Sequence, residues 1–145
     1  MTKLNIKKIK SVFLAGVIQG SNRGMVLHQQ DYRKELKDLF KKYIPQAEIV
    51  DPVEEHPDSA FYDFHKGEEV FFQSIRRCSE CDLMVAYLPE ASMGTAVEMG
   101  ECHRNNVPVW TVSPLKENWA VKFLSTQIFQ SVEELEAFLR NSSKN

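Results

Sequence analysis

The residues best able to do chemistry gather in two short stretches. Pro89-Glu90-Ala91-Ser92-Met93-Gly94-Thr95-Ala96-Val97-Glu98 follows an apolar run and leads into a helical pattern. Small residues ahead of a helix let backbone N–H groups approach an anion, and the helix dipole adds to the attraction, so Ser92 and Gly94 form a candidate phosphate cradle. Glu98 falls in the first turn of the helix expected over Thr95 to Asn105, where the dipole favours its ionised form. An ionised, fixed carboxylate can serve as a nucleophile. The same spacing also fits a capping box, Thr95-Ala96-Val97-Glu98, in which the glutamate only satisfies a backbone donor. The second stretch, Gly16-Val17-Ile18-Gln19-Gly20-Ser21-Asn22-Arg23-Gly24, offers further donors to an anion. Neither stretch is a G-x-G-x-x-G fingerprint or a P-loop.

The other constellations carry less. Cys78-Ser79-Glu80-Cys81 with Cys102-His103 provides four soft ligands on paper, but this C-x-x-C closes a helix before a strand instead of opening one after a strand. Inert core thiols are expected there. His28, His56, His65 and His103 have no metal-ligand spacing, and Ser92 and Ser113 lack a G-x-S-x-G elbow. No metal and no cofactor is expected.

These residues need elements to hold them. Val12 to Gly16, Ala47 to Val50, Leu83 to Leu88, Val107 to Val112 and Ile128-Phe129 read as strands. Tyr32, Leu36, Leu39, Phe40 and Tyr43 recur at helical spacing. Gly67 to Glu80 (Phe71, Ile75 and Cys78 inward) and Thr95 to Asn105 (Ala96, Met99 and His103 inward) read as helices. So does the segment after the Ser131-Val132-Glu133-Glu134 capping box, with Val132, Leu135, Phe138 and Leu139 inward. Alternating strand and helix predicts an α/β, three-layer, flavodoxin/Rossmann-like fold with a five-stranded parallel sheet of order 2-1-3-4-5. A crevice then lies outside the carboxyl ends of strands 1 and 3, where both glycine-bearing stretches meet. Residues 51–66, rich in Pro, Asp, Glu and His, suggest a functional or surface loop.

The chain has 145 residues, 43% hydrophobic and 26% charged, enough for a single domain over 1–145 with fraying at 1–10 and 141–145. A net charge of −2 supplies no positive field for a nucleic acid polymer or a membrane surface. The basic start and the apolar run after it lack a small-x-small cleavage pattern, and three cysteines are an odd number for a disulfide framework, so the cytoplasm is the expected compartment.

Cys81-Asp82-Leu83-Met84-Val85-Ala86-Tyr87, followed by Ala91 to Gly100, resembles the nucleoside 2-deoxyribosyltransferase-like superfamily, including its 2′-deoxynucleoside 5′-phosphate N-hydrolase branch. Val12-Phe13-Leu14-Ala15-Gly16 is similar to that family's first strand. The resemblance covers strand 1 and the strand 3 to helix 3 unit, and leaves 51–66 unaccounted for. It implies that Glu98 attacks the anomeric carbon of a (deoxy)ribosyl group, giving a sugar ester that water or a second base resolves. It also implies a 5′-phosphate at Ser92, because the nucleoside transferases carry an acid at that position and the nucleotide hydrolases a serine. Gly16, Gly20, Ser21, Asn22, Arg23 and Gly94 would complete the substrate site. Relatives often assemble as dimers or larger, with a neighbour's segment closing the pocket, which brings Asn118 or Trp119 to a ligand. Where the family has a tyrosine in strand 1 and an aspartate in helix 2, this chain has Phe13 and Ser74. Asp63, His65, Glu68 and Glu69 are the available substitute acids, and a non-catalytic nucleotide-binding protein of the same fold is the alternative reading.

Overall fold

Val12, Phe13, Leu14 and Ala15 are consecutive and all buried, which requires helices on both faces of their strand. The computed structural model, which describes residues 4–18 and 30–145, supplies them. Strands β1 (Ser11–Gly16), β2 (Glu48–Val50), β3 (Leu83–Tyr87), β4 (Val109–Val112) and β5 (Gln127–Phe129) pair in parallel in the order β2-β1-β3-β4-β5. The β1–β3 register sets Phe13 against Met84 and Gly16 against Tyr87, so both strands end at the same level. The helices are α1 (Asp31–Tyr43), α2 (Pro52–Glu55), α3 (Phe64–Cys78), α4 (Met93–Arg104), α5 (Trp119–Leu124) and α6 (Val132–Ser143). This is the expected α/β architecture, strand order included.

Side-chain alternation along each strand sorts the core into two layers. Val12, Leu14, Leu83, Val85, Trp110 and Val112 pack with Leu36 and Phe40 of α1 and Leu135 and Leu139 of α6. Phe13, Ala15, Met84, Ala86 and Val109 face the other way, onto Cys78 of α3, Met99 and Cys102 of α4 and Val121 of α5. The chain after β1 goes to one face and the chain after β3 to the other, so a crevice opens between the two strand ends.

Several boundaries differ from the sequence expectation. Of the start expected to fray, residues 4–10 are described and pack against the core: a 3-10 turn at Ile6–Lys8 buries Ile6 and Ile9, and the Gln46 amide donates to the carbonyls of both. The last helix likewise continues through Ser143. His103 is exposed, and its neighbour Cys102 takes the inward position. Residues 51–66 are largely short helices and turns: Asp51 caps α2, with Pro52 at the first helical position, a 3-10 turn spans Ser59–Phe61, and Asp63 caps α3, which starts at Phe64, three residues ahead of Gly67. Among the described residues no helix is long and apolar enough to cross a membrane.

Candidate active site

Which of its two readings Glu98 follows depends on where α4 begins. Ser92, not Thr95, is the N-cap: its Oγ accepts from the Thr95 N–H at 3.3 Å and donates to the Thr95 Oγ1 at 3.0 Å. Glu98 therefore sits in the second turn, and the amide it would satisfy in a capping box is already taken. The helix turns Thr95, Met99 and Cys102 into the core. Gly94 and Glu98, four residues apart on one face, line a cleft of about 380 Å³ instead. A side chain at Gly94 would meet nothing within 4 Å, so this glycine leaves the cleft open.

Among the described residues the Glu98 carboxylate has no hydrogen-bond or ion-pair partner. Burial pushes its pKa up to about 7, and the positive charge of Arg33 pulls against that rise. A carboxylate so placed is poorly solvated, ionises near neutrality and, among the described residues, carries no contact that would have to break before it attacks an electrophile.

Arg33 belongs to the floor of the cleft. It is 4% exposed, and three of its five N–H donors are engaged: Nη1 donates to Asp51 Oδ1 at 2.9 Å and to the Leu14 carbonyl at 3.2 Å, and Nε donates to Gln30 Oε1 at 2.8 Å. Asp51, 3% exposed, also accepts from the Val53 N–H at 3.0 Å and pairs with Lys37 at 2.7 Å. This buried network joins α1 to the start of α2 directly after β2.

At the end of β1, Gly16 lines the cleft, but the contact that forbids a side chain there is Tyr32: an added Cβ would lie 2.4 Å from its hydroxyl. Tyr32 stacks on Tyr87, with ring centroids 4.2 Å apart, and its hydroxyl donates to the Val17 carbonyl at 3.1 Å. Burial raises the pKa of this tyrosine to about 12, so it is a fixed neutral donor. Gly16 thus owes its lack of a side chain to packing at the strand end.

The other expected site residues fall as follows. Ser92, Gly94 and Ser74 line the cleft with Glu98. Phe13 is wholly buried among Met84, Met99 and the neighbouring core residues. Asn118 caps α5, its Oδ1 accepting from the Ala120 and Val121 N–H groups, and Trp119 is 78% exposed beside it. Neither lines this chain's cleft. Gly20, Ser21, Asn22 and Arg23 lie outside the described residues. Of the substitute acids, Asp63 accepts from the Lys66 N–H at the start of α3, and none of Asp63, His65, Glu68 and Glu69 lines the cleft. The cleft instead brings in His56, which sequence reading had set aside with the other histidines, and Arg33. A signal for Arg33 was present: it directly follows Tyr32 on the apolar side of an amphipathic helix.

Cys78, Cys81 and Cys102 are free and buried. The Cys102 thiol donates to the Cys78 carbonyl at 3.3 Å and the Cys78 thiol to the Glu98 carbonyl at 3.5 Å, which ties α3 to α4. Its hydrogen bond with Cys102 and burial both push the Cys78 thiol pKa upward, away from reactivity. Among the described residues no three His, Cys, Asp or Glu side chains converge as a metal site would require.

No family model and no curated protein matches the sequence. Solved structures do. A 2-deoxyribosyltransferase from Bacillus psychrosaccharolyticus superposes with a TM-score of 0.62 at 16% identity, over 89% of this chain and 95% of that one. A conserved protein from Enterococcus faecalis V583 superposes with a TM-score of 0.63, also at 16% identity, over 92% of this chain and 98% of that one. At such identity the likeness is one of fold, and it runs nearly the full length of all three chains.

Proposed function

We propose that this chain cleaves the bond between base and sugar in a nucleoside 5′-monophosphate, as an N-glycosidase or a (deoxy)ribosyltransferase with Glu98 as nucleophile. The observation that carries the reading is the Glu98 carboxylate, without a partner among the described residues, lining a cleft beside the capped start of α4. The fold it shares with a 2-deoxyribosyltransferase supports the same chemistry. Glu98 attacks C1′ as the C1′–N bond breaks, and the resulting ester is resolved by water or by a second base. A poorly hydrated carboxylate suits this step, because positive charge develops at C1′ just where the anion lacks stabilisation.

The phosphate is assigned to Ser92, Gly94 and the donors of Gly20, Ser21, Asn22 and Arg23. On phosphate binding the Ser92 hydroxyl turns its one proton from Thr95 Oγ1 to the dianion, which a carboxylate in its place would repel. The protein is taken to act as a homodimer or larger. Phe71, Phe72, Met93, Val97, Trp119 and Phe123 expose apolar surface on α3, α4 and α5, the layer that bears the cleft. Three free buried thiols fit a reducing cytoplasm.

The test is base release from a panel of ribo- and deoxyribonucleoside monophosphates, followed by chromatography, with wild type and Glu98→Gln. Release by wild type alone is expected; binding without release by either would leave a nucleotide-binding protein. The panel also separates hydrolysis from transfer when a free base is added. Ser92→Ala should lower stability by about 1 kcal/mol through loss of the cap. It should weaken nucleoside monophosphate binding about 10-fold or more, since a hydrogen bond to a charged group is worth about 1.5–3 kcal/mol, and leave the unphosphorylated nucleoside unaffected. Titration calorimetry with both ligands decides this, and equal losses would remove the phosphate from Ser92.

A further inference from the structure

Breaking a C1′–N bond leaves an electron pair on the base nitrogen, and an ordinary purine or pyrimidine departs poorly unless a proton reaches it in the same step. Glu98 cannot both attack and protonate. The described cleft lining holds two other titratable side chains, Arg33 and His56. Arg33 stays charged, because a guanidinium paired with Asp51 does not give up a proton near neutral pH. Ser59, Ser74, Ser92 and Thr95 also line the cleft, but their hydroxyls do not release protons near neutral pH.

We propose that His56 is the proton donor to the departing base and, in the second half of the reaction, the base that activates water. The assignment rests on the glycosidic reading given above. His56 closes α2, where its backbone N–H donates to the Pro52 carbonyl at 2.9 Å and anchors the main chain. Its Nδ1 lies 3.1 Å from the Tyr62 hydroxyl, with the two rings edge to face at 5.9 Å. In the charged ring Nδ1–H donates to that hydroxyl, and the neutral ring left after Nε2 gives up its proton keeps the same Nδ1–H donation, so Nε2 is free to take a proton back. Among the described residues Nε2 has no hydrogen-bond partner. The charged groups around the pair are Glu55, which is bound to Arg77, and Lys66, whose Nζ lies 5.9 Å from the centre of the Tyr62 ring. Glu98 and Arg33 face the same cleft.

The protons and electrons balance. A Glu98 oxygen bonds to C1′, the C1′–N pair moves to the base nitrogen, and the imidazolium proton follows it. Water then attacks C1′, the Glu98–sugar bond breaks back to carboxylate, and the water proton returns to His56.

The test compares first-turnover base release for two substrate classes in wild type and His56→Ala. One class comprises ordinary nucleoside monophosphates. The other, N7-methylguanosine monophosphate and nicotinamide mononucleotide, carries a base that is already cationic and leaves without a proton. His56→Ala is expected to lose about 10²–10⁴-fold on the first class and less than about threefold on the second. The ratio is read within one preparation, so partial misfolding cancels. A ratio unchanged from wild type overturns the assignment while leaving the glycosidic reading intact. Release of no base from either class by wild type overturns both.

Discussion

Replacing Glu98 with glutamine is expected to lower base release by at least about 10³-fold, with nucleotide binding retained. Removal of a nucleophile commonly costs up to about 10⁶-fold, and glutamine keeps the shape of the side chain without its negative charge. The pH dependence should carry the mark of the site. Because burial lifts the Glu98 pKa to about 7, the acid limb of the wild-type profile should fall near neutrality instead of in the ordinary carboxylate range. The same substitution should stabilise the fold. In the folded state Glu98 holds its proton more tightly than in the unfolded chain, so stability declines as pH rises from about 4.5 to about 7 and stays low above that. Glutamine removes the decline, which makes Glu98→Gln more stable than wild type by roughly 2–3 kcal/mol at pH 8 and equal to it near pH 4. Thermal melts at the two pH values check this, and a destabilised variant at pH 8 would show that the carboxylate is held by partners after all.

Replacing Asp51 with alanine is expected to cost about 3–5 kcal/mol, because it leaves the Arg33 guanidinium buried without its counter-ion. In a chain of this length that corresponds to a fall in Tm of roughly 10–15 °C. Part of the loss is the α2 cap, since the Val53 N–H also loses its acceptor. The double replacement Arg33→Met with Asp51→Leu should recover much of the deficit, as paired apolar substitutes for a buried ion pair are often near neutral. In Asp51→Ala, the Arg33 charge freed from Asp51 should also act more strongly on Glu98 and move the acid limb of activity to lower pH. Denaturant titrations and pH–rate profiles of wild type and the two variants check both statements. An Asp51→Ala protein as stable as wild type would mean that the pair contributes nothing to holding the cleft floor.

The sheet was legible because each strand is a short apolar run and α1, α3 and α6 repeat at 3.6 residues, and the alternation of the two admits few topologies. Glu98, Ser92 and Gly94 were found because they lie close together in sequence around a single strand-to-helix turn. Arg33, Asp51 and His56 were missed for the opposite reason. Arg33 and Asp51 are separated by 18 positions, and only the parallel pairing of β1 with β2 brings them together. The helix begun by Asp51-Pro52 is four residues long, too short to show a hydrophobic period, and Gly67 disguised the true start of α3 at Phe64. The Ser92 cap also competed with an equally regular capping-box pattern at Thr95, and only the hydrogen bonds of the folded chain distinguish them.

The central claim is that Glu98 forms a covalent bond to the sugar. Incubation with a 2′-fluoro-substituted nucleoside monophosphate, whose electron-withdrawing fluorine slows breakdown of the ester, followed by tryptic mass spectrometry, tests it directly. A fluorosugar phosphate is expected on the Cys78–Arg104 peptide, with fragment ions placing it at Glu98 and not at Glu80, Glu90 or Glu101. Base release without any such adduct, or with the adduct on another residue, would contradict it.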